Sequence, residues 1–197
     1  MKARALLVFL ALLCASMQYS HVAARTIPRA AQKPLVERFG IQPSDLPSGY
    51  SMRSTYDPGF ANELSQTVLR ETAPSPQYGN AIEIEITMWE SAEDAGTVFA
   101  DFTFANDGTG HYANRWNPGG VGDQEKGEGG TPAGDTVKTC LMGASSGYYL
   151  LFRRGSVLVL IQARGCKGGI DPAAISHVGR IIDGRIMRYL KSSHSQK

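Results

Sequence analysis

Hydrophobic positions along the chain change their spacing several times, and each change marks a predicted element. Across 81–88, Ile82, Ile84, Ile86 and Met88 alternate with Glu83, Glu85 and Thr87, the period-two pattern of a strand with one buried face. At Glu90–Ser91 the period lengthens. Asp94 follows Ser91 by three residues, and Ala92, Ala95, Val98, Phe99 and Phe102 recur at helical spacing, which predicts a capped amphipathic helix. A second helix is predicted after Asp171, with Pro172 in its first turn and Ile175, Val178, Ile182, Ile186 and Tyr189 as its inner stripe. Arg180, Asp183, Arg188 and Lys191 fall outside that stripe.

The remaining elements rest on shorter signals. The turn cluster Asp45–Tyr50 leads into a strand near Tyr50–Thr55, which Asp57-Pro58-Gly59 ends. Phe60, Leu64 and Val68 recur every fourth residue, so the spacing predicts a helix over 60–71. Residues 106–135 are glycine-rich with few apolar side chains and read as one long irregular excursion, with a short element around His111–Trp116. Three strands follow as a meander, Thr136–Gly143, Tyr148–Arg153 and Ser156–Ala163, turning at Ser145-Ser146-Gly147 and Arg154-Gly155. An antiparallel sheet packed by helices, an α+β fold, satisfies every amphipathic face in this order.

The ends bound the domain. Met1–Arg4 is basic, Ala5–Ala15 is apolar and uncharged, and Val22-Ala23-Ala24 offers small residues to a signal peptidase. Residues 1–24 are therefore expected to be a signal peptide cleaved after Ala24. Residues 25–39 are expected to be a tail, 40–191 a single domain and 192–197 a fraying end. The protein is expected to be secreted or periplasmic. Lipidation at Cys14 is the lesser alternative, because Leu13 stands where a small residue is normal. The apolar run falls well short of the roughly 20 residues that span a bilayer, and no later stretch comes closer. The 20 basic residues less Lys2 and Arg4 equal the 18 acidic ones; a neutral mature chain lacks the electrostatic footprint of a nucleic-acid binder.

Certain stretches occur together: Asp45-Leu46-Pro47-Ser48-Gly49-Tyr50, Met88-Trp89-Glu90-Ser91 before Ala92-Glu93-Asp94-Ala95, Val121-Gly122-Asp123, and Phe152-Arg153-Arg154-Gly155. With a closing helix, residues 40–190 resemble small exported bacterial proteins whose domains look like the Mog1/PsbP-type α/β/α sandwich. The resemblance implies a layered fold and a binding or assembly role. It transfers no active site, because its motifs are turns and strands.

Chemistry-bearing candidates are few. Gly143-Ala144-Ser145-Ser146-Gly147 fits G-x-S-x-G, but a nucleophile elbow needs a helix after the serine, and Tyr148–Phe152 reads as a strand. His177 and Asp183 complete a triad only on paper. The glycine-rich 119–134 stretch lacks the lysine and helix of a phosphate cradle. The acids Asp123, Glu125, Glu128 and Asp135 fit no calcium loop and read as solvated charges. His111, His177 and His194 show no metal-ligand spacing; no cofactor, metal or catalytic residue is expected. His111, Tyr112, Arg115 and Trp116 form the densest cluster, either a site for a protein or glycan of the cell envelope or an aromatic anchor for the loop. The basic residues Arg180, Arg185, Arg188 and Lys191 are expected to complement the last helix's C-terminal dipole, with a surface for an acidic partner as the alternative. A small serine hydrolase using Ser145, or a structural secreted protein without ligand, remain the alternatives. Cys140 and Cys166 are a disulfide candidate in an exported chain, worth about 3.5 kcal/mol by loop closure. The predicted meander opposes the bond, because it sets Cys140 opposite Arg153 and Cys166 past the far end of the last strand, beyond the roughly 7 Å limit between bridged Cα atoms.

Overall fold

The computed structural model describes residues 35–56, 62–70, 81–102, 114–130, 146–165 and 171–194. The predicted signal 1–24, Cys14, residues 25–34, Cys140, Cys166 and the predicted strand 136–143 lie outside them. Among the described residues seven strands form one sheet: β1 (Tyr50–Tyr56), β2 (Glu63–Arg70), β3 (Ala81–Met88), β4 (Asn114–Arg115), β5 (Gln124–Gly130), β6 (Ser146–Arg154) and β7 (Val157–Gly165), in the order β1-β2-β3-β7-β6-β5-β4. Every pairing is antiparallel. The helices are α1 over residues 35–39, α2 (Ala92–Asp101) and α3 (Pro172–His194). The class is α+β, an antiparallel sheet packed by helices, as the hydrophobic pattern predicts. No helix among the described residues is long and apolar enough to cross a membrane.

Alternation along the central strands assigns the layers. Leu150 and Phe152 of β6 and Val157, Val159, Ile161 and Ala163 of β7 share one core with β3's isoleucines and with Ile175, Val178, Ile182 and Ile186 of α3. The intervening Leu151 and Leu158 pack instead with Phe99 of α2. Successive strand residues point to opposite faces, so α2 and α3 cover opposite sides of the sheet. The α3 side holds the larger core, completed by Val36, Phe39 and Ile41; each fully buried aliphatic chain there contributes roughly 1.5–3 kcal/mol. Both helix starts follow their sequence signals. Ser91 Oγ accepts from the Asp94 amide at 3.0 Å, and Asp171 Oδ1 accepts from the Ala173 amide at 2.9 Å.

The structure corrects several expectations. Residues 63–70 form strand β2, not a helix: Leu64, Gln66 and Val68 are buried in alternation. Every-fourth spacing fits either period, and buried Gln66 disguised the strand. Its side chain pairs with backbone, accepting from Ile41 N at 2.8 Å and donating from Nε2 to Ile41 O at 3.0 Å, so burial leaves no amide group unpaired. Residues 124–130, expected to be irregular, form β5 and take the place beside β6 that 136–143 was expected to fill. Arg153 therefore faces Gln124 rather than Cys140, and the register objection to a Cys140–Cys166 bond loses its premise. The packed domain starts by residue 35, since Val36 and Phe39 are core residues, and α3 continues past Lys191 to His194. Asp183, expected outside the helix stripe, is 6% exposed.

Opposite the main core, β2 and β3 present Ser65 beside Glu85 and Thr67 beside Glu83. Burial, then the neighbouring charges of Glu83 and Glu63, raise the Glu85 carboxyl above its ordinary pKa.

Candidate functional site

The next-to-last strand of the sheet, beside β4, is unusual. β5 reads Gln-Glu-Lys-Gly-Glu-Gly-Gly and carries no apolar side chain. Its packing partners come from its neighbours. Trp116 and Tyr148 stand edge to face, with ring centroids 5.8 Å apart, and both pack against the main core. A Cβ on Gly129 would collide with the Tyr148 ring, and one on Gly127 with the Trp116 carbonyl oxygen. Glycine is required at both positions because aromatic residues lie where side chains would project. The Trp116 amide donates to the Gly127 carbonyl at 3.1 Å, extending the short β4 pairing by one bond.

Beyond Trp116 the chain leaves the edge and is tied back by carboxylates. Glu125 accepts from the amides of Gly120 at 3.1 Å and Val121 at 2.7 Å. Asn117 Oδ1 accepts from Gly119 N at 3.0 Å. The turn that could have cradled a phosphate thus holds the chain's own carboxylate. Asp123 accepts from Arg154 Nη1 at 2.9 Å and from Gly155 N at 2.8 Å. Arg154 also grips Asp183 on α3, and this hydrogen bond raises the guanidinium pKa further above its already high value. Asp123 is solvated as expected, yet it and the half-buried Glu125 are also structural acceptors.

Lys126 points the other way. Its Nζ donates to the carbonyls of Phe99 at 2.5 Å, Ala100 at 3.1 Å and Phe102 at 3.2 Å, and sits 4.6 Å from the Phe99 ring centroid. It neutralises the C-terminus of α2, where helix carbonyls lack partners.

Between the departing loop and the edge of β5 lies a cleft of about 480 Å³, lined by Trp116, Asn117, Pro118, Glu125, Lys126, Gly127 and Glu128. That volume falls within the roughly 300–1,000 Å³ of small-ligand sites. Alternation puts Glu125 and Gly127 on one face of β5 and Lys126 and Glu128 on the other, so the cleft opens around the edge of the sheet.

Of the cluster singled out in the sequence, Trp116 lines this cleft and also anchors the loop to the core. Arg115 lies in β4 at the register position opposite Glu128, while His111 and Tyr112 lie outside the described residues. Sequence reasoning missed Asn117, Pro118, Glu125 and Glu128 as lining residues. The only signal for them was their closeness to Trp116 and to glycines that a covered strand requires. Ser145 lies outside the described residues, and Ser146–Gly147 open strand β6. His177 Nε2 is bonded to the Asp45 carbonyl at 3.0 Å, and Asp183 is held by Arg154, so neither triad partner is uncommitted. No group of His, Cys, Asp and Glu among the described residues could hold a metal ion.

Comparison with protein-family models, curated proteins and solved structures returned no match to this chain.

Proposed function

We propose that the chain is an exported, non-enzymatic domain that binds a protein, glycan or other envelope component at the sheet-edge cleft beside Trp116. The observation that carries this reading is the lining itself. A half-buried indole and a proline ring stand against two carboxylates and an amide, around a cleft of about 480 Å³. Apolar walls with a few placed polar groups are what orient a bound ligand. The basic and apolar start of the chain with its Ala23-Ala24 site supports export. The Mog1/PsbP-type resemblance of the sequence, whose implied role is binding or assembly, supports the same reading.

The test is capture of ligand from an envelope extract on immobilised protein, followed by repetition with Trp116→Ala and Arg115→Ala. Loss of capture in Trp116→Ala is the expected result. Unchanged capture in both variants would contradict the site.

A further inference from the structure

We infer that the cleft takes a neutral, hydroxyl-rich ring, a saccharide unit, an inference that rests on the binding reading above. Each polar group in the lining has a definite remaining capacity. Glu125 already accepts from Gly120 N and Val121 N, which offsets much of its charge, yet a carboxylate offers about four lone-pair sites and so retains capacity. Asn117 gives its oxygen to Gly119 N, leaving its NH2 to donate. Glu128 lines the cleft with no hydrogen bond or ion pair to any other described side chain. Acceptors and a donor therefore stand together beside an indole wall.

A hydroxyl both donates and accepts, and a sugar ring pairs a rim of hydroxyls with an apolar C–H face that lies on aromatic carbon. The lining meets both demands. Among the described lining side chains an anionic ligand finds no free cation, because the Lys126 ammonium is bound to the end of α2. A cationic ligand is the competing chemistry. It would satisfy Glu128 and the indole, but would leave the Asn117 NH2 facing a second donor. A purely apolar ligand would strand Glu128 and Asn117 without water.

The experiment is calorimetric titration of the full chain with chitotriose, cellotriose and maltotriose, and with trilysine as the cationic probe, at low and high salt. The expected result is binding of at least one trisaccharide with little dependence on salt. It should weaken roughly tenfold in Glu128→Gln or Asn117→Ala, the loss of one hydrogen bond, and vanish in Trp116→Ala. The first two variants keep the test decisive if Trp116→Ala misfolds, since neither residue is a core residue. Salt-sensitive binding of trilysine with no trisaccharide binding would overturn the inference and leave the binding cleft standing. No trisaccharide binding at all, or trisaccharide binding that Glu128→Gln and Asn117→Ala leave unchanged, would also overturn it. Failure of the binding reading is distinct: it shows as capture from extract that neither Trp116→Ala nor Arg115→Ala alters.

Discussion

Arg154 and Asp183 meet in a two-pronged ion pair, Nε to Oδ1 and Nη2 to Oδ2, both at 2.7 Å. The pair clamps the end of β6 to the middle of α3, and the same guanidinium reaches Asp123 in the loop beside the cleft. Arg154→Leu leaves a nearly buried carboxylate without its partner, and we expect a loss of about 3–5 kcal/mol. Arg154→Leu combined with Asp183→Leu should cost less than the two single changes together. Urea denaturation of the four proteins in the cycle measures the difference.

Glu125 is expected to govern the order of the loop. Glu125→Ala frees the amides of Gly120 and Val121, and charge-assisted bonds of this kind contribute about 1.5–3 kcal/mol. Amide hydrogen exchange should accelerate at those two residues, with no change in the interior of α3. Equal protection in both proteins would remove the carboxylate from its structural role.

Two glycine substitutions should act in opposite directions. Gly129→Ala drives a methyl group into the Tyr148 ring and should destabilise by about 1–3 kcal/mol. Gly96→Ala, in α2 with nothing within 4 Å of the added carbon, should stabilise by about 0.5–1 kcal/mol through helix propensity. Thermal melts of both variants decide the point.

Such contrasts also explain what was legible in the sequence. β3 and α2 were readable because each has a single clean period and, for α2, a cap at Ser91. β2 was not, because a four-residue recurrence serves both periods and its middle inward residue, between Leu64 and Val68, is the polar Gln66. β5 left no hydrophobic signal, since its packing comes from Trp116 and Tyr148 lying over glycine. Asp183 looked solvent-facing because its partner, Arg154, is 29 residues away in sequence. The cleft inherits that difficulty: Trp116 stood out, but Glu125 and Glu128 join it only through the fold of an apparently irregular stretch.

Glu85 gives a pH dependence. Its folded pKa is raised, so the folded state holds a proton more tightly than the unfolded chain does. Stability therefore falls as pH rises through the window from the ordinary carboxyl pKa of 4.5 up to the raised folded value. Glu85→Gln should be the more stable protein at neutral pH, by about 0.5 kcal/mol or less because solvent screens the exposed face. The advantage should vanish below that window. Chemical denaturation at pH 4 and pH 7 checks the sign, and an advantage confined to low pH would reverse it.

The cleft itself is tested most directly by NMR of the indole N–H signals, because the chain has two tryptophans. Trp116 lines the cleft, whereas Trp89 packs with Phe99, Leu151 and Leu158 on the α2 side. On titration with any ligand that calorimetry shows to bind, the Trp116 signal should shift and saturate while the Trp89 signal stays in place. A bound ligand that leaves the Trp116 signal unmoved would contradict the assignment.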